Sequence, residues 1–214
     1  MKSLGKTNSV IFLNGDLPVR ILKKYSFKHC YKICADGAAN SLKKIGITPD
    51  IILGDFDSIK KDTLKFYKKK KIEIRKIDDQ DTTDFEKSLM YALENGLNDI
   101  VIFGAISRRP DHTLNNFSIL KRYYKLLNLK IIDKKFDILF ILKSIEFDYK
   151  KNEVISIMPL PAANNIITEG LIYKLNNEKL EFGIREGTLN VSNAEKVKIS
   201  FEDGDLLLFK KHFL

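Results

Sequence analysis

Two aspartates separated by one residue, Asp55 and Asp57, directly follow an apolar segment at residues 51–53. The chain has a formal net charge of +9, yet it places two like negative charges side by side. Carboxylates held close together raise one another's pKa and cost stability unless a cation offsets them. Hard oxygen ligands without a neighbouring His or Cys favour magnesium, which binds few protein carboxylates and keeps waters and ligand phosphates. The pair therefore predicts a magnesium-dependent nucleotide site.

Three further segments place charged side chains after a predicted strand. They are Asp36-Gly37, the acidic segment DDQDTTD at 78–84, and residues 104–112. In an open parallel sheet, the loops that follow the strands converge at one edge, and ligands bind there. Seven or more carboxylates would meet at that edge of an otherwise basic protein, so we interpret the set as a functional site.

The phosphate-binding side follows no common nucleotide motif. Neither G-x-x-x-x-G-K-[ST] nor G-x-G-x-x-G occurs in the sequence. We therefore expect phosphates to be held by the metal, by helix N-termini and by Lys87, Arg108 and Arg109.

A purely structural interpretation of the same residues competes with this one. Asp and Ser are common helix caps, so Asp57 or Ser58 could cap a helix that begins at Ile59, and Asp111 could cap the helix that follows it. Capping uses one such residue for each helix, which leaves several acids of 55–57 and 78–84 without a role. This surplus favours function for the set, although each residue taken singly also fits a cap.

The elements that must position these residues alternate strand and helix up to about residue 132. β-branched runs predict strands, and apolar residues at helical spacing predict helices between them. The predicted strands are 9–15, 31–36, 50–55, 72–77, 99–105 and 129–133, and the predicted helices include 18–25, 38–46, 84–96 and 111–127. The alternation predicts an α/β fold, a mostly parallel sheet with helices on both faces.

The helix at 84–96 shows the clearest local signals. Thr83 and Glu86 form a predicted capping box at its start, and Gly96 ends it. One apolar face is predicted to contain Phe85, Leu89, Ala92 and Leu93.

The pattern changes after Asp133. Short runs of alternating apolar residues are separated by turn residues such as Asn176-Asn177 and Asp203-Gly204. The runs are 136–142, 153–159, 169–175, 178–184, 197–201 and 205–209. Such a pattern predicts a small all-β sandwich domain. We therefore expect two domains, at residues 1–133 and 134–214.

Composition narrows the classes of function. No apolar run approaches the roughly eighteen residues of a membrane span, and the run before Asp16 is too short for a signal peptide, so we expect a cytoplasmic protein without a membrane partner. The lysines are spread along the chain, and the basic block at 68–76 fits the end of a helix followed by a strand rather than a nucleic-acid patch. Cys30 and Cys34 form no metal or redox motif and receive no function.

Taken in order, the charged segments resemble the thiamine pyrophosphokinase family. The matching stretches cover nearly the whole chain and are ADGAAN (35–40), PDIILGDFDSI (49–59), DQDTTDFEKSL (79–89), DHTLNN (111–116), EGLIYKL (169–175) and GTLNVSN (187–193). The resemblance implies an α/β catalytic domain that binds ATP and magnesium, and a β-sandwich domain that binds thiamine and forms a homodimer. It also implies transfer of pyrophosphate from ATP to the hydroxyl of thiamine, which releases AMP.

The resemblance implies roles for individual residues as well. The magnesium ligands would be Asp55, Asp57 and Asp81. The ATP and hydroxyl side would be lined by Asp36, Ser58, Gln80, Thr82, Thr83, Asp84, Lys87, Arg109, Asp111 and His112. Thiamine would be contacted by Gln80, Ser192 and Asn193. Arg109 would act on the triphosphate during catalysis, and a carboxylate, either Asp57 or Asp84, would accept the proton of the attacking hydroxyl.

Two stretches depart from the family pattern. The loop after the fifth strand usually has Gly-Gly-Arg, one residue, and then Asp-His, whereas this chain has Ser107-Arg108-Arg109 before Pro110. Arg109 matches the family arginine, and both glycines are replaced. Ala38 also replaces a glycine, which predicts a backbone without positive φ at that position.

Three other functions are hypotheses from the same residues. An aspartyl-phosphate hydrolase also uses Asp-x-Asp, but its nucleophile follows the first strand, where this chain has Asn14-Gly15-Asp16. A metal-dependent glycosyltransferase holds a sugar nucleotide with such a pair. A basic RNA-binding protein whose acids only cap helices would bind RNA with a steep salt dependence and without magnesium.

Overall fold

The computed structural model describes residue 4 and residues 6–213. The chain forms two compact units, one that ends at Lys134 and one that comprises Lys135–Phe213. The fold is mixed α/β, and all described helices lie in the first unit. None of these helices is long and apolar enough to cross a membrane.

The first unit alternates strands and helices, as the sequence predicts. Its strands are β1 (Ser9–Phe12), β2 (Tyr31–Ala35), β3 (Ile51–Gly54), β4 (Glu73–Lys76), β5 (Asp99–Phe103) and β6 (Asn128–Ile132). Its helices are α1 (Val19–Leu22), α2 (Ala38–Ile45), α3 (Lys61–Lys69), α4 (Asp84–Glu94) and α5 (Pro110–Tyr123). Neighbouring strands pair in parallel in the order β4-β3-β2-β1-β5-β6.

The central strands of this unit are apolar and buried. Every residue of β1 and β3 is buried, and Phe12 of β1 stacks on Phe103 of β5. Strands of a parallel sheet that are buried on both faces are continuous apolar runs of this kind. The polar residues are therefore left to the loops that follow the strands.

Most predicted helix ends are confirmed, with three corrections. Gly46 is left-handed and ends α2, and Ala38 has no positive φ, as predicted. The predicted helices at 18–25 and 111–127 are too long, because α1 ends at Leu22 and α5 ends at Tyr123. Leu93 is exposed, whereas the other three residues of its predicted face are buried.

The third correction concerns the capping box of α4. Thr83 is the N-cap, and its Oγ1 accepts a hydrogen bond from Glu86 N at 3.3 Å. The Glu86 carboxylate does not return this bond. It accepts from Arg122 Nη1 at 2.8 Å and from the Tyr123 hydroxyl at 3.2 Å, and so ties α4 to α5.

The second unit consists of antiparallel strands. They are β7 (Phe136–Ile141), β8 (Ser144–Asp148), β9 (Val154–Glu169), β10 (Asn176–Glu181), β11 (Gly187–Val191), β12 (Lys196–Ser200) and β13 (Asp203–Lys211). Their order is β7-β13-β9-β12-β8, and β10 and β11 also pair with β9. An apolar cluster that includes Ile157, Leu180 and Leu206 forms the core of this unit.

Two strand predictions for this unit are wrong. Residues 170–175 form only an isolated bridge at Leu171, because the preceding strand β9 continues to Glu169 and a left-handed Gly170 then turns the chain. Asn176-Asn177 and Asp203-Gly204 lie inside β10 and β13 rather than between strands, at irregularities of the pairing with β9.

Candidate active site

Three carboxylates converge at the ends of β2 and β3. Asp36 follows β2, and Asp55 and Asp57 follow β3. Each offers one oxygen atom, and these three atoms lie within 4.8 Å of one another. The predicted gathering of acidic residues after neighbouring strands is therefore present, and its spacing suits a shared cation.

Asp36 is the buried member of this group. Its side chain is inaccessible to solvent, Oδ2 accepts a hydrogen bond from Ser58 N at 2.8 Å, and Oδ1 has no hydrogen-bond partner. Burial raises the pKa of Asp36 to about 6, and the nearby Asp84 and Asp57 add to this rise while the Ser58 bond opposes it. A buried oxygen without a donor is costly, and a bound cation would satisfy it.

Gly54, the last residue of β3, makes room for two of the acids. Its φ is +147°, and a Cβ atom there would lie 2.6 Å from Asp36 Cβ and 3.2 Å from Asp84 Oδ1. No larger residue fits, since both contacts are tighter than ordinary packing allows. The absence of a side chain at this position thus lets Asp36 and Asp84 approach the same point.

The Asp55–Asp57 turn has its own internal bonds. Phe56 adopts a left-handed φ of 69°, which is strained for a bulky residue. Asp57 N donates to Asp55 Oδ1 at 3.2 Å, and Ser58 Oγ donates to Asp57 Oδ1 at 2.8 Å. The Ser58 bond lowers the pKa of Asp57.

The helix that follows this turn excludes the capping interpretation. α3 begins at Lys61 with Lys60 as its N-cap and has no side-chain cap. Neither Asp57 nor Ser58 caps a helix, so the prediction of a helix from Ile59 capped by one of them is wrong. Both side chains are left for the site.

Asp84 and Lys87 occupy the first turn of α4. Lys87 is almost fully buried, and its Nζ lies 3.8 Å from Asp84 Oδ1. Burial raises the pKa of Asp84, the charge of Lys87 opposes this, and Asp55 and Asp57 raise the pKa further. The helix N-terminus thus presents an acid of raised pKa beside a buried cation.

A cleft of about 270 Å³ lies next to these acids in the first unit. The predicted residues that line it are Ser58, Thr83, Asp84 and His112. Sequence analysis missed Asn14, Ser107, Asn115 and Asn116 as lining residues. Two signals were available: Asn14 comes soon after a strand, and Asn115 and Asn116 stand three and four residues after His112, which places them on one helix face.

The loop between β5 and α5 carries the two arginines. α5 begins at Pro110 with Arg109 as its N-cap residue, so the prediction that Asp111 caps this helix is wrong. The Asp111 carboxylate instead accepts from Arg109 Nε at 3.2 Å and Nη2 at 2.6 Å, which lowers the pKa of Asp111. Arg108 is 93% exposed, and its Nε lies 4.0 Å from Asp16 Oδ1.

The predicted vitamin-binding residues of the second unit differ in exposure. Ser192 is inaccessible to solvent, and its hydroxyl donates to Lys150 O and accepts from Glu153 N at 3.1 Å. Asn193 is exposed, and its Nδ2 donates to Leu171 O at 3.2 Å. The Ser192 side chain is therefore used within the fold, whereas Asn193 reaches the surface.

Both units match known sequence families. Residues 22–132 match the family described as thiamin pyrophosphokinase, catalytic domain, and residues 143–206 match the thiamin pyrophosphokinase, vitamin B1 binding domain. The chain belongs to the thiamine pyrophosphokinase family. It is thus an enzyme of the transferase class, which decides against the hydrolase and RNA-binding hypotheses.

Individual thiamine pyrophosphokinases are similar over most of their length. Thiamin pyrophosphokinase 1 of Caenorhabditis elegans is 30% identical over 207 residues, which cover 87% of this chain and 82% of the relative. Thiamine pyrophosphokinase of Bacillus subtilis is 30% identical over 198 residues, which cover 88% and 91%. The crystal structure of thiamine pyrophosphokinase from Bacillus subtilis has a TM-score of 0.84 at 25% identity and covers 100% of both chains.

The residues implied by the thiamine pyrophosphokinase resemblance are not all gathered. The structure groups Asp55 and Asp57 with Asp36, and Asp81 is not part of that group. The segment at 78–84 is exposed around Gln80 and Asp81, and Asp79 holds it by accepting from Asp81 N at 2.8 Å and from the Thr82 hydroxyl. The three-acid group therefore contains Asp36, which the resemblance implies for the ATP side, and does not contain Asp81, which it implies as a magnesium ligand.

Proposed function

We propose that the chain transfers pyrophosphate from ATP to the hydroxyl of thiamine and produces thiamine diphosphate and AMP. The observation that carries the proposal is the group formed by Asp36, Asp55 and Asp57, next to Asp84, in a member of the thiamine pyrophosphokinase family. Phosphoryl transfer depends on positioning and on charge neutralisation rather than on a protein nucleophile. Clustered carboxylates near a cleft fit that requirement.

The carboxylate group fits magnesium. Its donors are hard oxygens, and the buried Oδ1 of Asp36 lacks a partner that a cation would supply. Asp55 and Asp57 would hold the ion, Asp36 would contact it through its unpartnered Oδ1, and Asp81, on the exposed loop, stays a proposed further ligand. When bound, magnesium would neutralise the charge of the triphosphate.

The chain's own residues would orient ATP around this group. Asp36, Ser58, Gln80, Thr82 and Thr83 would line the nucleotide side. Lys87 would contribute a buried positive charge near Asp84, and His112 would act from the cleft wall. Arg109 would exchange its contact with Asp111 for one with the triphosphate, because a carboxylate and a phosphate each offer two anionic oxygens to the N–H groups of a guanidinium.

Asp84 is the better candidate for the general base. Asp57 belongs to the carboxylate group and has a lowered pKa, so its affinity for a proton is reduced. Asp84 has a raised pKa and lies beside the cleft. A base with a higher pKa receives a proton more readily, so we assign the hydroxyl proton to Asp84 and a ligand role to Asp57.

The second unit would supply the vitamin side and a dimer interface. The segment at 187–193 brings Asn193 to the surface and contains the exposed Leu189. The exposed side chains of Ile172 and Tyr173 lie beside it, since Ile172 N donates to Val191 O at 2.8 Å and Tyr173 N donates to Asn190 Oδ1 at 3.1 Å. Exposed apolar side chains of this size favour a covered surface. We propose that residues 134–214 form a β-sandwich that binds thiamine through Asn193 and neighbouring groups and pairs with a second copy, and that Ser192 has a supporting role.

The proposal also covers the first domain, the location of the protein and the alternative of glycosyl transfer. Residues 1–133 would form the catalytic domain, with helices on both faces of its parallel sheet. The cytoplasmic location stays a prediction from the sequence. Glycosyl transfer would require selective binding of a uridine or guanosine sugar nucleotide, and no feature of the site favours it.

The test is product analysis after incubation with ATP, magnesium and thiamine. Separation of the nucleotides should show AMP, with thiamine diphosphate in equal amount. ADP, free phosphate or an absence of turnover would contradict pyrophosphoryl transfer. Omission of magnesium should abolish the reaction and provides the control for the metal.

A further inference from the structure

Asn40, the last residue of the ADGAAN segment, has no role in the site described above. It lies in the first turn of α2, and its amide contacts three backbone groups. Nδ2 donates to Gly37 O at 3.1 Å and to Ser58 O at 3.0 Å, and Oδ1 accepts from Lys60 N at 3.0 Å. Two of these groups belong to the segment that links β3 to α3, so one side chain connects α2 to that segment twice.

The linking segment, residues 55–60, forms neither helix nor strand. Asp36 and Asn40 both hold this segment at Ser58. Asp36 accepts a hydrogen bond from Ser58 N, and Asn40 donates one to Ser58 O. Ile59, the next residue, is buried in the apolar core. The backbone of Ser58 is therefore held by Asn40 of α2 and by Asp36, which lies two residues before this helix.

Ser58 connects this clamp to the carboxylate group. Its hydroxyl donates to Asp57 Oδ1 at 2.8 Å, so a shift of the Ser58 backbone would displace the donor that orients the Asp57 carboxylate. Lys60, the second residue held by Asn40, is the N-cap of α3, which has no side-chain cap. Asn40 thus acts on both ends of the short segment that follows Asp57.

The amide group is needed for this pattern. One end donates and the other accepts, which neither a carboxylate nor an alkyl side chain can do. An aspartate at position 40 would lose the donor to Ser58 O and would bring a further negative charge towards the acids. A serine hydroxyl is shorter and would remain close to its own helix turn.

We propose that Asn40 is a positioning residue that holds Asp55 and Asp57 at the spacing required to bind one divalent cation. The proposal rests on the proposed function only for the use of that cation in the reaction. Groups that orient metal ligands without touching the metal typically contribute about 10- to 100-fold in metal affinity. Asn40 acts through backbone groups, so we expect the lower end of that range.

The direct test is Mn²⁺ binding to the nucleotide-free protein, measured by electron paramagnetic resonance. Asn40→Ala and Asn40→Ser should both bind Mn²⁺ about tenfold more weakly than the wild type. The serine variant guards against misfolding, because serine is well tolerated near a helix start. Asn128→Ala is the matched control: its amide donates to Asp99 Oδ1 at 2.8 Å, away from the linking segment, and its removal should leave Mn²⁺ affinity unchanged.

Steady-state kinetics add a second readout. The magnesium concentration for half-maximal turnover should rise by the same factor in the Asn40 variants, and turnover at saturating magnesium should approach that of the wild type. Unchanged Mn²⁺ affinity in the Asn40 variants would overturn the proposal whatever their melting temperatures, and a lower melting temperature would then show a merely structural residue. A wild type that binds no Mn²⁺ would also overturn it. Intact Mn²⁺ binding without AMP formation would refute the reaction and leave the positioning role in place.

Discussion

The loops that follow β3 and β5 both present charged residues, but they hold them differently. The loop after β3 is clamped by Asp36 and Asn40, and three acids around it share a space of 4.8 Å. In the loop after β5, the side chains of Arg108 and Arg109 are 93% and 67% exposed. The acids are fixed in advance, whereas the cations are left at the surface.

This difference fits the two tasks. Metal ligands must stand at a fixed spacing. The fold already holds the carboxylates close together against their repulsion, so no further energy is needed to bring them together when the ion binds. A guanidinium can instead exchange a carboxylate for a phosphate, because each offers two anionic oxygens. Changes to the first loop should therefore have large effects on turnover, and changes to the second should have smaller effects that depend on ATP.

Removal of one charge from the fixed loop should give the largest effect. Asp55→Asn keeps the size of the side chain, and turnover should fall at least roughly a hundredfold because metal neutralisation supplies much of the catalysis in phosphoryl transfer. Asp57→Asn should behave alike. Melting temperatures should change little. Asp62→Asn, on the exposed first turn of α3, is the control and should keep full AMP release. Near-normal turnover of Asp55→Asn would contradict the metal role.

Crowding at the end of β3 gives the next prediction. Gly54→Ala would place a Cβ against Asp36 and Asp84 in a left-handed backbone, and we expect unfolding to become easier by about 2–3 kcal/mol, with loss of turnover. Gly46→Ala is the matched control, because Gly46 is also left-handed but has nothing within 4 Å of an added Cβ. It should cost only about 1 kcal/mol. Equal losses of unfolding free energy in the two variants, measured by urea unfolding, would disprove the effect of the close approach at Gly54.

The two arginines of the second loop should differ in importance. Arg109→Ala should raise the Michaelis constant for ATP and lower turnover, by about tenfold or more in their ratio, since a charge-assisted contact with the triphosphate is lost. Arg108→Ala should change the ratio by less than about fivefold, as expected for an exposed ion pair with Asp16. The reverse order would assign the phosphate contact to Arg108.

The pH dependence of stability should report the burial of Asp36, measured without divalent ions. A carboxyl whose folded pKa is raised to about 6 favours the folded state at low pH, and this contribution is lost as the pH rises through that value. Asp36→Asn does not titrate, so the variant should gain stability relative to the wild type, by about 1–2 kcal/mol, between about pH 4 and pH 7.5. Urea unfolding at both pH values measures the gain. If the difference in unfolding free energy between the variant and the wild type were the same at both pH values, ionisation of Asp36 would not destabilise the fold.

The sequence predicted the strands that precede the acids better than it predicted the arrangement of the acids. Apolar runs bounded by turn residues identify β2, β3 and β5 because burial of a parallel strand requires such runs. The convergence of Asp36 with Asp55 and Asp57 depends on the φ of Gly54 and of Phe56. Phenylalanine does not favour a left-handed backbone, so the residue type at position 56 gave no basis for predicting the turn between Asp55 and Asp57.

The second unit shows the limit of motif-based prediction. Residues 153–159 and 169–175 looked like two strands, but β9 runs from Val154 to Glu169 as one strand that pairs with the four strands β10, β11, β12 and β13. Ser192 lies in a family motif, yet its hydroxyl is buried and bonded to Lys150 O and Glu153 N. Whether a motif residue faces ligand or core is decided by packing that the sequence does not display.

Anomalous diffraction from a crystal soaked with Mn²⁺ and ATP tests the central claim most directly. The account predicts a manganese peak bound by carboxylate oxygens of both Asp55 and Asp57, at about 2.0–2.3 Å as for small divalent ions. It also predicts that the peak disappears in Asp55→Asn crystals grown under the same conditions. A peak that neither aspartate touches, or one of equal height in the variant, would contradict it.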